Sequence, residues 1–112
     1  MEYKGADFYC DVALKDTSAL AIEYESEYVI AYHHTRPHWP THIVIVPKKH
    51  ISSFTDYAKE DESIISEILE VVRRVASKVE LEKGKARILT NLGRYQDSKH
   101  MHFHVSSGEA FS

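Results

Sequence analysis

Cysteine, positive charge and long apolar runs are scarce in this sequence, and each scarcity excludes a class of protein. A single cysteine, Cys10, excludes an internal disulfide and is typical of a reducing compartment. Fourteen basic residues against seventeen acidic ones give a net charge of −3, which lacks the basic excess of a nucleic-acid binder. The purest apolar run is only Ile43–Val46, so we expect neither a signal peptide nor a membrane span. We therefore expect one cytoplasmic domain over residues 1–112, with no nucleic-acid or membrane partner.

Histidine, in contrast, is abundant: the chain has eight, and three of them alternate with apolar residues in the stretch His100–Val105. In an extended strand successive side chains point to opposite faces, so the imidazoles would line one face and the apolar residues the other. The three are His100, His102 and His104. A surface strand that happens to carry histidines is the plain alternative, but three imidazoles on one face have no packing rationale. The stretch therefore predicts one buried face and one chemical face.

The hydrophobic pattern predicts an α+β fold with about five strands in a mostly antiparallel sheet. The predicted strands are Ala19–Tyr24, Tyr28–Tyr32, His42–Pro47, Ala86–Thr90 and His100–Val105. Apolar residues at helical spacing predict one long amphipathic helix from about Glu60, ending before Gly84. A short N-terminal helix is expected over Asp7–Leu14. The third strand is apolar on both faces, so it should be central in the sheet.

A polar segment, His33–Thr41, precedes the predicted central strand. Its two prolines fix φ and remove backbone donors, so it cannot be regular structure. Its basic or imidazole groups are His33, His34, Arg36 and His38. They could attract an anion, or they could belong to an ordinary solvated loop, and the sequence leaves both interpretations open.

Zinc binding is one chemistry that three histidines suggest. A strand rises about 3.3 Å per residue, however, so the Cα atoms of His100 and His104 would lie roughly 13 Å apart. Both cannot comfortably reach one ion through Zn–N bonds of about 2 Å. At most two of the three histidines could share a metal.

A nucleophilic imidazole is the second chemistry, because neutral histidine attacks phosphorus and is mostly neutral at pH 7. The central residue, His102, would be the best supported. The nitrogen that attacks is determined by what holds the other one, commonly a backbone carbonyl. Protonated neighbours and loop amides could then stabilise phosphoryl oxygens.

Two motifs together resemble the histidine triad (HIT) family, and most closely its Hint branch. One is the alternating triad, preceded by a loop that carries Asn91, Gly93 and Gln96; the other is the segment Pro40–Ser52. The resemblance covers nearly the whole chain. It implies a HIT-like fold and a homodimer that binds a purine nucleotide, without a required cofactor. The implied reaction is nucleotidyl transfer from phosphoramidates or dinucleoside polyphosphates, through a nucleotidyl intermediate on His102.

The same resemblance implies roles for individual residues. The catalytic set would be His100, His102, His104 and Gln96, and the substrate-binding set Asn91, Gly93, Ser98, His42, His34 and Thr35. Two positions depart from the Hint pattern. His34, followed by Thr35, occupies the place of an aspartate that holds the ribose, and Asp97 stands where serine is frequent, which makes Ser98 the candidate for that serine's role. A nucleotide-binding regulatory protein with little turnover is therefore an alternative, and a metal-binding protein is another.

Bacterial relatives in the family often hold a structural zinc ion through an N-terminal pair of cysteines and two histidines. The matching residues here are Asp7, Cys10, His50 and His100. Carboxylate is an acceptable zinc ligand, so a degenerate site is conceivable, but the loss of one thiolate weakens it and we do not favour it. Cys10 would otherwise be a small buried apolar residue.

Overall fold

A computed structural model describes Tyr9, Leu14 and residues 17–111. Five strands form one sheet in the order β1-β2-β3-β5-β4, and every neighbouring pair is antiparallel. The strands are β1 (Ile22–Glu25), β2 (Val29–His33), β3 (Thr41–Pro47), β4 (Arg87–Leu89) and β5 (Phe103–Ser107), and the helix α1 is Glu62–Lys83. The predicted α+β fold is confirmed.

Strand β3 is central because its side chains are covered on both faces of the sheet. Ile43 and Ile45 belong to the core between the sheet and α1. Val44 and Val46 point the other way and pack with Ile30, Tyr32 and Tyr9. Burial of each such side chain is worth roughly 1.5–3 kcal/mol, so a run without polar residues is stable only at this inner position.

Helix α1 lays one apolar face on the sheet and ends as the sequence predicts. Its buried residues are Ile64, Ile65, Ile68, Val71, Val72, Val75 and Val79. Gly84 follows the last turn with φ of 83°, and its N–H donates to the carbonyl of Glu80. Only glycine adopts this left-handed conformation without strain. In the part of the chain that the structure describes, no helix combines the length and apolar character that a bilayer span requires.

Strand β5 differs most from its prediction, because it begins at Phe103 and not at His100, and continues to Ser107. The residues before Phe103 use their backbone groups in other bonds. The N–H of Met101 donates to the carbonyl of Ile51 at 2.6 Å, and the hydroxyl of Thr90 donates to the carbonyl of His102 at 2.7 Å. These bonds place His100 and His102 in an ordered segment outside the sheet ladder.

Smaller differences occur at the N-terminal side. The first strand was predicted from Ala19 but begins at Ile22, because Thr17–Ala19 forms a 3-10 turn. The helix predicted over Asp7–Leu14 lies outside the described residues, apart from Tyr9 and Leu14.

Candidate active site

The histidine triad lies on the face of the sheet opposite α1. His104 lies in β5, with Val44 of β3 and Leu89 of β4 as its cross-strand partners. The intervening residues Met101, Phe103 and Val105 belong to the core under α1, so the predicted alternation is present although the strand is shorter. His100, His102 and His104 are 0%, 6% and 8% exposed, so the chemical face is itself nearly buried.

The ring of His102 is held in one tautomer by the backbone. Its Nδ1 lies 2.7 Å from the carbonyl oxygen of His100. A carbonyl only accepts, so Nδ1 carries the proton and donates it, and the neutral ring has its lone pair on Nε2. The ring also packs against Tyr9, with centroids 5.0 Å apart. His102 is therefore positioned with Nε2 as its nucleophilic nitrogen.

A second chain of hydrogen bonds sets the tautomers of His42 and His104. The backbone N–H of His38 donates to Nδ1 of His42 at 3.0 Å, so the proton of neutral His42 is on Nε2. That Nε2 lies 2.7 Å from Nδ1 of His104 and donates to it. His104 therefore accepts at Nδ1 and carries its own proton on Nε2, as a donor.

His34 joins this group through ring stacking. Its ring lies nearly parallel to that of His42, with centroids 4.4 Å apart and an angle of 18°. The N–H of Arg36 donates to its Nδ1 at 3.0 Å, so the ring's proton is on Nε2. Its centroid is 6.2 Å from that of His104, while the next residue, Thr35, is exposed. His34 thus lies beside the triad.

The imidazoles of His34, His42 and His104 are poor bases. Burial, reinforced by the neighbouring imidazoles, lowers the pKa of His34 and of His42 to about 4. The same causes lower the pKa of His104 to about 3. The sequence suggested protonated neighbours around the nucleophile, whereas the lowered pKa values favour the neutral form of His34, His42 and His104 near pH 7. These rings act there as neutral hydrogen-bond donors.

The loop between β4 and β5 carries the other predicted residues. Gln96 is buried, and its Nε2 donates to the carbonyl of Ser52 at 2.7 Å, which joins the loop to the segment after β3. Nζ of Lys99 donates to the carbonyls of Gly93 and Gln96 at 3.2 and 2.8 Å. Asn91 and Ser98 are half-buried in the same loop. The roles assigned to these residues in substrate binding stay predictions.

His100 supports its neighbour. Its Nε2 lies 2.7 Å from the carbonyl of Pro47 and donates to it, and its own carbonyl holds His102. The resulting tautomer, with Nδ1 as the acceptor, is the form that a metal-binding histidine adopts when a carbonyl holds its other nitrogen. The ring of His50 is 5.4 Å away, edge-on. These two histidines thus fit the predicted degenerate zinc site.

The other two predicted zinc ligands, Asp7 and Cys10, lie outside the described residues. Among the residues that are described, no group of three or more histidine, cysteine, aspartate or glutamate side chains is arranged to hold a metal ion. The zinc site therefore stays a prediction.

Three contributors to the site were missed by sequence reasoning. Tyr9 packs on the rings of His100 and His102. Trp39 directs its ring at His42 with centroids 4.9 Å apart, and His38 acts through its backbone N–H. A single tryptophan in a loop does not by itself predict a contact with a histidine. A backbone N–H donor does not depend on the residue type, so the sequence cannot predict it.

Comparison with known proteins agrees with this fold. A family model for the HIT domain matches residues 17–111. A HIT-like protein of uncharacterized function from Rickettsia prowazekii is 27% identical over 110 residues, which span 96% of this chain and 91% of that protein. The crystal structure of a HIT family hydrolase from Legionella pneumophila has a TM-score of 0.76 at 26% identity, covering 92% of this chain and 93% of that one. A hypothetical histidine triad nucleotide-binding protein from Sulfolobus tokodaii gives 0.76 at 25% identity, over 89% of this chain and 67% of that one.

Proposed function

The chain belongs to the HIT domain family, as the triad and its upstream segment predicted, and from this premise we propose that it is a nucleotidyl hydrolase or transferase with His102 as nucleophile. The substrates are purine nucleoside phosphoramidates or dinucleoside polyphosphates. The observation that carries the proposal is the 2.7 Å contact between Nδ1 of His102 and the carbonyl of His100, because it gives Nε2 the lone pair. The names of the Legionella and Sulfolobus proteins, a hydrolase and a nucleotide-binding protein, support the same class.

The reaction proceeds in two displacements. Nε2 of His102 attacks the α-phosphorus and forms an N–P bond, while the bond to the amine or phosphate leaving group breaks and that group takes up a proton. Nδ1 keeps its proton, so the ring bears positive charge that the His100 carbonyl stabilises. Water then attacks the phosphorus, gives up a proton and displaces His102. Nucleoside monophosphate leaves and Nε2 regains its lone pair.

His104 stabilises the negative charge that develops on the phosphoryl oxygens in the proposed reaction. Its Nε2–H follows from the bond that Nδ1 accepts from His42. Donors that are already oriented cost no reorganisation when the oxyanion forms. In the proposed complex Gln96 and Asn91 contact the phosphate, and Gly93 and Ser98 bind the substrate, with Ser98 near the leaving group. His34 and Thr35 contact the sugar. No cofactor is required for this cycle.

The proposed enzyme is a cytoplasmic homodimer. Among the described residues, strand β4 is at the edge of the sheet, so a further strand could pair with its outer backbone groups. Ile88 in that strand is 54% exposed and Leu92 just after it is 39% exposed. Pairing of this edge with a second copy would continue the sheet and cover both side chains.

Incubation with adenosine phosphoramidate tests the proposal. AMP release is expected, with an adenylate adduct on His102 in the mass spectrum of a rapidly quenched sample. His102→Ala should abolish both, while His33→Ala, in an exposed histidine that contacts Glu23, should behave as wild type. Turnover by His102→Ala equal to wild type would refute the assignment.

A nucleotide-binding regulatory protein is the second candidate, because His34 lies where the Hint pattern predicts a ribose-binding carboxylate. Calorimetry on the same preparation decides between the two. Tight binding of AMP without an adduct or turnover would favour the regulatory protein. Absence of both binding and turnover would contradict both candidates.

A further inference from the structure

The loop that contains His34 and His38 is contacted by the edge strand β4 and by the C-terminal tail, residues 108–111. Nη2 of Arg87 in β4 donates to the carbonyl of Gly108 at 2.6 Å, and Nη1 donates to the hydroxyl of Ser106 at 3.3 Å. The same guanidinium lies 5.7 Å from the ring centroid of Trp39. A planar cation can bond in its plane and stack on an aromatic face at once, which an ammonium cannot do.

The tail reaches the loop at two further points. The N–H of Phe111 donates to the carbonyl of His38 at 2.8 Å. Gly108 lies so close to Pro40 that an added Cβ would be 2.9 Å from the proline ring. The peptide on either side of Trp39 is therefore fixed by the tail, while Arg87 covers the indole itself.

Through Trp39 and His38, these contacts of Arg87 and the tail extend to the ring of His42. Trp39 meets the ring of His42 edge-on, at an angle of 75°, and the adjacent His38 N–H donates to Nδ1 of that ring. In the other tautomer of His42, Nδ1–H would face His38 N–H, so two donors would oppose each other. His42 Nε2 would then become an acceptor, His104 would have to donate from Nδ1, and His104 Nε2 would no longer be a donor.

We propose that Arg87 and Trp39 are positioning residues that hold the His38 N–H on Nδ1 of His42 and thereby keep Nε2–H of His104 as a hydrogen-bond donor of the site. Neither residue touches the reacting atoms. The kinetic consequence rests on the proposed function, whereas the tautomers of His42 and His104 can be measured whether or not the protein turns over a nucleotide.

Nitrogen NMR of labelled imidazoles is the primary test. In the wild type, His42 and His104 should each show a protonated Nε2 and an unprotonated Nδ1. Arg87→Met and Trp39→Ala should give mixed tautomers at both histidines. Arg73→Met is the matched control, because Arg73 lies exposed on α1 and pairs with Glu70. In this variant the tautomers of His42 and His104 should be those of the wild type.

Kinetics with adenosine phosphoramidate supply the second readout. Arg87→Met should lower kcat about tenfold, since His104 is the donor in only part of the population, and leave KM nearly unchanged. Arg87→Lys should recover less than half of the loss, because it cannot bond and stack together. Trp39→Phe keeps an aromatic edge on His42 and should retain more of the wild-type kcat than Trp39→Ala does.

Wild-type tautomers in both Arg87→Met and Trp39→Ala would overturn the inference, and so would an equal loss of kcat in Trp39→Phe and Trp39→Ala. If Trp39→Ala does not fold, Arg87→Met and Trp39→Phe still decide it. If no variant and no wild-type sample releases AMP, the proposed function fails while the tautomer measurement still stands.

Discussion

Nε2 of His42 and Nδ1 of His104 are 2.7 Å apart, and the proton between them belongs to His42. The assignment depends on a third residue, because His38 N–H already occupies Nδ1 of His42. The two rings come from adjacent strands, β3 and β5, which are joined by an antiparallel ladder. The hydrogen bonds thus orient the buried pair, and burial lowers the pKa of both rings, so the pair is neutral near pH 7.

Acid should destabilise the protein because of these rings. The pKa is lowered to about 4 for His42 and His34 and to about 3 for His104, against 6.5 in the unfolded chain. Below pH 6.5 these histidines bind protons in the unfolded state but not in the folded state. The free energy of unfolding is therefore highest above that pH and falls toward pH 4. Each ring contributes at most about 1.4 kcal/mol of unfolding free energy per pH unit, and less where solvent screens it.

Urea unfolding between pH 7.5 and 4.5 measures this slope. His104→Gln removes one titrating ring and should flatten the slope relative to the wild type. An identical slope in His104→Gln would contradict the depressed pKa of His104 as a source of acid sensitivity.

Removal of the donor on His42 should slow catalysis more than it weakens binding. In His42→Leu, Nδ1 of His104 loses its partner, and the tautomer of His104 is no longer defined. We expect kcat to fall about 100-fold, the usual cost of one oriented donor at a developing oxyanion, with KM changed little. His42→Gln can still donate through its amide and should retain more activity. A larger effect on KM than on kcat, from steady-state kinetics, would contradict the role of His42.

The sequence correctly predicted that the triad alternates with apolar residues that face the core. It did not predict the hydrogen bonds that orient the histidine rings. Alternation of Met101, Phe103 and Val105 is a local property, so it determines which side faces α1 whatever the strand's length. The start of β5 depends on the carbonyl of Ile51, which is far away in sequence. A periodic pattern of residue types cannot predict such a long-range backbone hydrogen bond.

The same limit applies to the tautomers of the site. They are determined by backbone groups of His38, Pro47 and His100, and backbone groups are identical in every residue except proline. Side-chain chemistry thus identified His102, His104 and His42 as candidates, but not the direction in which each ring donates. The stacking of His34 on His42 depends on a loop shaped by proline and by the tail, which also escapes pattern analysis.

The identity of residue 34 should control discrimination between ribose and deoxyribose. Nδ1 of His34 is occupied by Arg36 N–H, so its ring offers only one donor, whereas a carboxylate would offer two acceptor oxygens to a pair of hydroxyls. The wild type should discriminate weakly, and His34→Asp should raise the preference for ribose about tenfold, the worth of one hydrogen bond. The ratio of kcat/KM for the two phosphoramidates measures it, with Arg73→Met, at an exposed position on α1, as a control. An unchanged ratio in His34→Asp would show that residue 34 does not contact the sugar.

Two glycines with similar φ angles should respond differently to alanine. Gly84 has φ of +83° and open space around it, while Gly108 has φ of +95° and Pro40 within 2.9 Å of an added Cβ. Gly84→Ala should cost about 1 kcal/mol of unfolding free energy for the left-handed conformation alone. Gly108→Ala carries that cost plus the overlap with Pro40, roughly 1–3 kcal/mol more.

Because Pro40 lies between Trp39 and the start of β3, relief of that overlap must move the loop or the tail. Urea unfolding compares the two free energies, and AMP release shows whether the displacement reaches His42. Gly84→Ala should keep wild-type kcat, while Gly108→Ala should lose it even at low temperature, where the variant is folded. Equal destabilisation by the two substitutions, with kcat intact in both, would mean that the tail does not hold the loop against the site.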